Sequence, residues 1–198
     1  MMNKIILKGF IRNISYSHTI QDIEFCKAEL VTKQENGKEN LINLKFKRFS
    51  NPYKENDEIE LIGNVRTYSQ KFENKNKVDV YVFTYFDKPD EEVESTNYVE
   101  LDGRICKKGE LRKTQTGKDV LDFIVANNLK SETQSLNCYI PCVAWGKLAK
   151  QLAKKNIGES IYIGGQLQSR EYKKRISEND FEIKIAHEIN ILNLFDGE

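Results

Sequence analysis

The chain has 198 residues, which is enough for one large or two small domains. Its 31 lysines and arginines nearly balance its 30 aspartates and glutamates, so any strongly basic surface must be local. No run approaches the roughly 18 apolar residues of a membrane-spanning helix, and the N-terminus lacks the features of a secretory signal, so we expect a cytoplasmic protein without a membrane partner.

The first half of the sequence predicts five strands and no long helix. The strand candidates cover residues 3–12, 25–32, 41–49, 59–68 and 78–86. Asn36-Gly37 lies between the second and third of them, and this dipeptide is a strong hairpin signal. Five strands in about 85 residues are typical of a small closed β-barrel.

A short acidic connector follows the fifth strand. It begins with a proline and contains three glutamates, and it lacks the alternation of a strand. We therefore predict a first domain at residues 1–88, a linker at residues 89–96 and a second domain at residues 97–198.

The second half predicts a similar set of strands with one helix among them. The strands cover residues 98–106, 120–128, 138–145, 160–172 and 181–192. Residues 147–155 have alanine and leucine at helical spacing, with lysines on the opposite face and Gly158 just beyond the end. The pair Gly164-Gly165 predicts a bulge or a sharp bend.

The two halves are internal repeats of each other. Gly9 and its strand parallel Gly103 and its strand, and Gly63 and its strand parallel Gly165 and its strand. The spacing between these anchors is longer in the second copy, which has the predicted helix where the first has only residues 51–56. We therefore predict two copies of one barrel, the first without most of its helix.

Two motifs of the second copy carry a family resemblance: V-A-W-G-K-L-A at residues 143–149 and I-Y-I-G-G-Q-L-Q-S-R-E-Y at residues 161–172. Further matches lie at residues 97–105, 109–118, 123–127 and 181–192. In this order the motifs resemble the bacterial single-stranded DNA-binding protein family. The resemblance implies an all-β chain of two tandem OB-fold five-stranded barrels, the second with a short helix.

The resemblance also implies a set of DNA-binding residues in the second copy. Tyr139, Trp145 and Tyr172 fall on positions where the family places rings that stack on bases; the alternative is that they pack within the barrel. A further stacking position of the family is missing, because residues 127–130 read N-N-L-K. The candidate phosphate-binding cations, which are alternatively a solvated face, are Arg112, Lys113, Lys118, Lys147, Arg170 and Lys173. Lys173 falls in a predicted loop at residues 173–179.

In the first copy the candidate residues follow from the internal repeat. If the third strand matches the strand that ends at Trp145, Phe49 falls at the place of Trp145. Tyr68 and Phe72 bracket the place of Tyr172. The nearby cations are Arg48, Arg66 and Lys71.

The fifth strand of the first copy has two apolar faces. Tyr81, Phe83 and Tyr85 alternate with valines, so one of the two faces must lie in the core. The aromatic face is then either an interface between subunits or a platform for bases, and we favour the interface.

Nothing in the sequence indicates catalysis, a metal site or a cofactor. The two histidines are not part of any recognisable catalytic motif, and we expect His187 to pack within the last strand. The four cysteines have no histidine pair near them, so we expect buried, reduced thiols.

These observations predict a non-enzymatic protein that binds single-stranded DNA without sequence preference in replication, recombination or repair. Since one-barrel members of the family form tetramers, a two-barrel chain implies a homodimer with four OB folds, with replication or recombination proteins as possible partners. The alternative from another class is a protein-interaction module of a replisome or primosome with little DNA binding of its own. RNA binding is a third possibility.

Overall fold

The computed structural model describes residues 1–33, 37–72, 75–89, 97–130, 135–175, 177 and 180–195, with the backbone only at residues 70–72, 75–77, 130 and 174. Within these ranges the strands form one continuous hydrogen-bonded sheet, which closes on itself twice. No helix in the described ranges is long and apolar enough to cross a bilayer.

The first half of the chain closes one barrel. Its strands are β1 (Asn3–Ile20), β2 (Ile23–Lys33), β3 (Glu39–Lys47), β4 (Glu58–Phe72) and β5 (Lys75–Thr84). They follow the circuit β1-β2-β3-β5-β4 and return to β1, with β3 and β5 parallel and the other pairs antiparallel. A single 3-10 turn, Arg48–Ser50, follows β3.

The second half closes another barrel. Its elements are β6 (Asn97–Lys108), the two-residue β7 (Arg112–Lys113), β8 (Asp119–Lys130), β9 (Ser135–Trp145), α1 (Gly146–Lys154), β10 (Ser160–Arg175) and β11 (Phe181–Phe195). The circuit β6-β8-β9-β11-β10 returns to β6 and repeats the pairing of the first barrel. Helix α1 buries Ala149 and Leu152 in the core and has no counterpart in the first barrel beyond the 3-10 turn.

Alternation along the strands places one face of each barrel wall in the core. In β3, for example, Ile42, Leu44 and Phe46 are fully buried, while the residues between them are partly exposed. Gly9 and Gly103 mark equivalent positions at which a Cβ atom would collide with the carbonyl oxygens of Val31 and Ala126. The repeated glycine therefore marks a close approach of two strands in each barrel.

The two barrels are joined along β1 and β6, which pair antiparallel from Asn3 with Leu101 to Leu7 with Asn97. Two further hydrogen bonds cross the joint, and they lie at corresponding positions of the two copies. The backbone N–H of Tyr139 donates to Thr67 Oγ1 at 2.9 Å, and the backbone N–H of Leu41 donates to Ser169 Oγ at 3.0 Å.

Buried Asn40 and the partly buried His187 add contacts on one side of this joint. The Asn40 side chain donates to the Leu167 carbonyl at 2.9 Å and accepts the Ser169 backbone N–H at 2.6 Å. His187 Nε2 donates to the Leu41 carbonyl at 2.7 Å. Each of these bonds runs from one barrel to the other, so the relative position of the barrels is fixed by polar contacts as well as by the shared sheet.

The predicted fold class is confirmed: the chain is all-β, with two tandem five-stranded OB-fold barrels and a short helix in the second. The pairing register of β10 with β11 shifts between Gly164 and Gly165, as the glycine pair predicts. The predicted domain limits stay a prediction, because residues 90–96 of the linker lie outside the described residues. The predicted turn at Asn36-Gly37 also stays a prediction, because Asn36 lies outside the described residues.

Two local predictions are wrong. The third strand ends at Lys47 rather than at residue 49, because the chain turns into the 3-10 segment there. Lys173 does not lie in a loop: β10 continues to Arg175, and Lys173 pairs with Ile183 of β11. The long β10–β11 ladder keeps the backbone of this polar segment hydrogen-bonded.

We expect Asn40→Ala to lower the free energy of unfolding by about 1–3 kcal/mol, because it leaves buried backbone groups of the other barrel without partners. Urea denaturation followed by circular dichroism measures this change. The matched control is Asn137→Ala, which removes an exposed asparagine from β9. An equal, small effect of both variants would contradict the role assigned to Asn40.

We expect the stability of the protein to fall as the pH drops below about 6.5, with His187 as one cause. Burial lowers the pKa of His187 in the folded state, against a smaller raising effect of its hydrogen bond to Leu41. The unfolded chain therefore takes up this proton first, so the contribution is present above the ordinary histidine pKa and is lost as the pH falls through the folded pKa. Urea denaturation of wild type and His187→Gln at pH 5 to 8 should show the weaker pH dependence in the variant, and parallel curves would refute the assignment.

Candidate nucleic-acid interface

The outer face of β9 presents two of the predicted stacking residues to solvent. Residues of β9 alternate, and Cys138, Ile140 and Cys142 lie in the core. Tyr139 and Trp145 point the other way and keep 48% and 40% of their surfaces exposed. Large aromatic rings that remain this exposed on a strand are available for contact with a planar ligand.

Tyr172 lies on the same outer surface, on β10. It is 38% exposed and shares its face of the strand with Arg170 and Gln168. Gln168 pairs with Glu188 of β11, and β11 in turn lies beside β9. The three predicted rings of the second barrel therefore occupy one continuous outer face of the strands β9, β11 and β10.

The six predicted cations of the second barrel differ in their partners. Arg112 is ion-paired with Asp122 at 2.5 Å, and the partly exposed Arg170 with the buried Glu188 at 3.1 Å. The hydrogen bond to Glu188 and the nearby carboxylates raise the pKa of Arg170, against a lowering effect of burial. The exposed cations without a described ion pair are Lys113, Lys118, Lys147 and Lys173.

Asn127, the first residue of the segment in which the family's further stacking ring is missing, has a structural role. Asn127 is fully buried at the joint between the barrels, where its side chain donates to the carbonyls of Asp102 and Met2 and accepts a hydrogen bond from Asn3. Its role is to connect β8 with β6 and the N-terminus. The sequence indicated the loss of the aromatic ring in this segment but not the structural role of Asn127.

Strand pairing defines which residues of the first barrel correspond to those of the second. Leu41 pairs with Val31 as Tyr139 pairs with Ala126, so Leu41 holds the place of Tyr139. In the same register Lys47 holds the place of Trp145. The prediction that Phe49 falls at this place is therefore wrong by two residues.

The other predicted residues of the first barrel lie near this face. Phe49 is exposed on the 3-10 turn, with the Lys47 ammonium 5.7 Å from its ring. Arg48 is ion-paired with Glu24 at 2.6 Å. Tyr68 holds the place of Arg170, and residue 70 holds that of Tyr172. Tyr68 and Phe72 therefore lie on either side of the position that corresponds to Tyr172. The side chains of Lys71 and Phe72 lie outside the described part of the chain.

The aromatic face of β5 meets cations that the sequence did not connect with it. Arg66 of β4 lies over the Phe83 ring, with 4.0 Å from its guanidinium carbon to the ring centroid. Lys45 of β3 lies 4.2 Å from the Tyr81 ring centroid and 5.9 Å from that of Tyr68. These residues come from three strands, and no spacing in the sequence relates them.

The described residues contain no cluster of side chains suited to a metal ion. Cys26, Cys138 and Cys142 are buried, and burial raises the pKa of their thiols, so they are poor nucleophiles and ligands. The expectation of buried thiols is wrong for Cys106, which is exposed at the register shift of β6 against β8.

Residues 96–192 match the model of the Single-strand binding protein family. Among solved structures, the wild-type single-stranded DNA binding protein from Thermus aquaticus is similar, with a TM-score of 0.72 at 18% identity, over 100% of this chain and 93% of that one. A deletion mutant of the same protein has a TM-score of 0.72 at 16% identity, over 100% of this chain and 95% of that one. A search of curated proteins found no match.

The family match covers the second barrel, and the structural likeness covers both barrels. The second barrel therefore matches the single-strand binding protein family, and both barrels have the OB fold.

Proposed function

We propose that this chain binds single-stranded DNA without sequence preference, as a non-enzymatic protein of replication, recombination or repair. The observation that carries the proposal is the exposure of Tyr139, Trp145 and Tyr172 on one outer face of the second barrel. Each ring offers a flat apolar surface to a base, and stacking of this kind contributes about 1–3 kcal/mol per base.

Lysines rather than arginines provide the free positive charge of this face. Arg112 and Arg170 already have carboxylate partners within the barrel, whereas Lys113, Lys147 and Lys173 are exposed. A lysine that neutralises a phosphate releases a bound counterion, so binding weakens as the salt concentration rises. We infer that the lysines supply the salt-dependent part of the affinity and that the paired arginines mainly fix the strands.

We also propose that the chain acts as a homodimer, which would bring four OB folds together. Phe181, Ile183 and Ile185 alternate along β11 and are all exposed on one face of the β10–β11 ladder. A contiguous apolar stripe of this kind is typical of a protein contact, and an equal stripe on a second copy would cover it. The similar solved structures are described as single-stranded DNA binding proteins, and replication or recombination proteins stay possible partners.

We expect Tyr139→Ala to weaken binding of an oligo-dT of about 35 nucleotides by roughly 5- to 100-fold, which corresponds to the loss of one stacked base. Trp145 is the single tryptophan of the chain, so quenching of its fluorescence reports occupancy of this face directly. Titrations at two salt concentrations should show the salt dependence described above.

The matched control for this titration is Tyr16→Ala, which removes an exposed tyrosine from β1 on the other barrel. The control should leave the affinity unchanged. Absence of quenching by oligo-dT in wild type at low salt would refute DNA binding by this face and favour the protein-interaction alternative.

We expect wild type to sediment as a dimer and Ile183→Glu to sediment as a monomer of 23.1 kDa, because a charge in the centre of the apolar stripe cannot be buried without a partner. The control Lys184→Gln changes the neighbouring residue, which faces the other side of β11. A monomeric wild type would contradict the homodimer, and a dimeric Ile183→Glu would place the contact elsewhere.

A further inference from the structure

A groove on the outside of the first barrel combines aromatic rings with cations. It has a volume of about 800 Å³ and lies along β3, β4 and β5, beside the end of the β8–β9 hairpin. The residues that matter here are Lys45, Arg66, Tyr68, Tyr81, Phe83 and Tyr85. We call it the aromatic groove.

Arg66 lies in the aromatic groove without a carboxylate. Its guanidinium rests on the Phe83 ring, and its Nε atom is buried with no hydrogen-bond partner. Burial lowers the pKa of Arg66, and the neighbours that act against this are Tyr81, Cys138 and Tyr85 rather than an acid. In the described part of the chain this guanidinium has no ion pair, so its charge is available to an anion from outside.

The tyrosines of the aromatic groove keep exposed ring surface. Tyr68 is 53% exposed and Tyr85 is 49% exposed. Phe83 is buried beneath them and contacts Tyr85 edge-on, with ring centroids 5.3 Å apart. Tyr85 thus packs against Phe83 and has the Lys47 ammonium 5.4 Å from its ring centroid, while 49% of its surface stays exposed to a stacking base.

The charge of the aromatic groove is positive. Its described lining contains Lys45 and Arg66 and no aspartate or glutamate. Among the described residues, the carboxylate that acts on Lys45 is Asp79, which lines a neighbouring depression and has contacts of its own. Burial lowers the pKa of Lys45, so an added anion would compensate for lost hydration at this ammonium as well.

The equivalent positions in the second barrel lack these cations and include an acidic residue. Gln168 stands where the first barrel has Arg66, and Val143 stands where it has Lys45. Glu188 stands at the place of Tyr81 and is ion-paired with Arg170. The aromatic groove is therefore specific to the first barrel, and it uses other strand positions than Tyr139 and Trp145.

The aromatic groove adjoins the proposed DNA-binding face of the second barrel. Thr67, which lies between Arg66 and Tyr68 in β4, accepts the backbone N–H of Tyr139 at 2.9 Å. Tyr139 is half exposed at this joint. The β8–β9 hairpin, which carries Tyr139, also lines the aromatic groove with Leu129 and Leu136, so the two surfaces are neighbours.

We propose that the aromatic groove is a second single-stranded DNA subsite, in which Tyr68 and Tyr85 stack on bases and Arg66 and Lys45 contact the backbone phosphates. This inference rests on the proposed function and extends it: one DNA strand passes from Tyr139 across the joint onto the first barrel. It assigns the aromatic face of β5 to bases, where the sequence favoured a subunit interface.

The test uses three variants of the full chain, two control variants and two lengths of oligo-dT. Arg66→Gln and Lys45→Val install the side chains that the second barrel has at the same places, so the barrel tolerates them, and Tyr85→Leu keeps an apolar cover over Phe83. An oligo-dT of about 8 nucleotides occupies one barrel, and one of about 35 nucleotides spans both. Quenching of Trp145 reports the second barrel, and anisotropy of the labelled oligonucleotide reports total binding.

We expect every variant to bind the short oligonucleotide at Trp145 as wild type does. Arg66→Gln and Tyr85→Leu should bind the long one about 5- to 100-fold more weakly. Arg66→Gln should also reduce the slope of log K against log salt by about 0.7, the value for one lost phosphate contact on single strands. Tyr85→Phe should restore binding, and Tyr16→Leu should have no effect.

Unchanged affinity of Arg66→Gln and Tyr85→Leu for the long oligonucleotide would overturn the inference, while quenching of Trp145 by the short one would leave the proposed function intact. Conversion of these variants from dimers to monomers, with DNA affinity kept, would overturn it in favour of a subunit interface. Long-oligonucleotide binding that depends on Arg66 without any quenching of Trp145 would support the subsite and refute the second-barrel face. No binding of either length would refute both.

Discussion

The structure depends on the joint between β1 and β6, which turns two barrels into one sheet. Backbone pairing alone would leave the ends of these strands with unsatisfied groups, and side chains complete the pairing there. Asn3 bonds both backbone groups of Val65, and Asn97 bonds both backbone groups of Leu167. Because buried backbone groups need partners, these repeated asparagines let each strand leave one neighbour and join another.

The joint also explains how two copies of one barrel have acquired different surfaces. The core residues and the strand circuit must agree between the copies, since both barrels close in the same register. The outer faces are free of this constraint. One copy presents Tyr139 and Trp145 on β9, whereas the other has Leu41 and Lys47 at these places and has exposed rings elsewhere, among them Tyr68 on β4 and Tyr85 just after β5. The repeat therefore preserves the scaffold and varies the chemistry of its outer face.

The local pattern of residues along the sequence was enough to predict the fold, but it was not enough to predict the contacts on the surface. Alternation of apolar residues predicts the strands, and the matched glycines predict the repeat, because both follow from backbone geometry. The place of Phe49 was missed because a strand end is decided by a turn that no pattern marks. The partner of Arg170 and the contact of Arg66 with Phe83 were beyond reach, since each depends on the register of a hairpin, which residue spacing along the sequence does not fix.

A formal net charge of +1 does not exclude binding to a polyanion. What matters is which cations are already neutralised by carboxylates within the protein and which are not. Carboxylates neutralise cations locally, as Glu188 does for Arg170, Asp122 for Arg112 and Asp119 for Lys150. Each such pair adds one positive and one negative charge to the sequence and contributes little to the electrostatic field outside the protein. Among the cations without a described ion pair, Arg66 and Lys45 of the first barrel lie over aromatic rings. The quantity that decides nucleic-acid binding is therefore the unpaired charge next to a stacking surface, and this quantity is visible only in the folded chain.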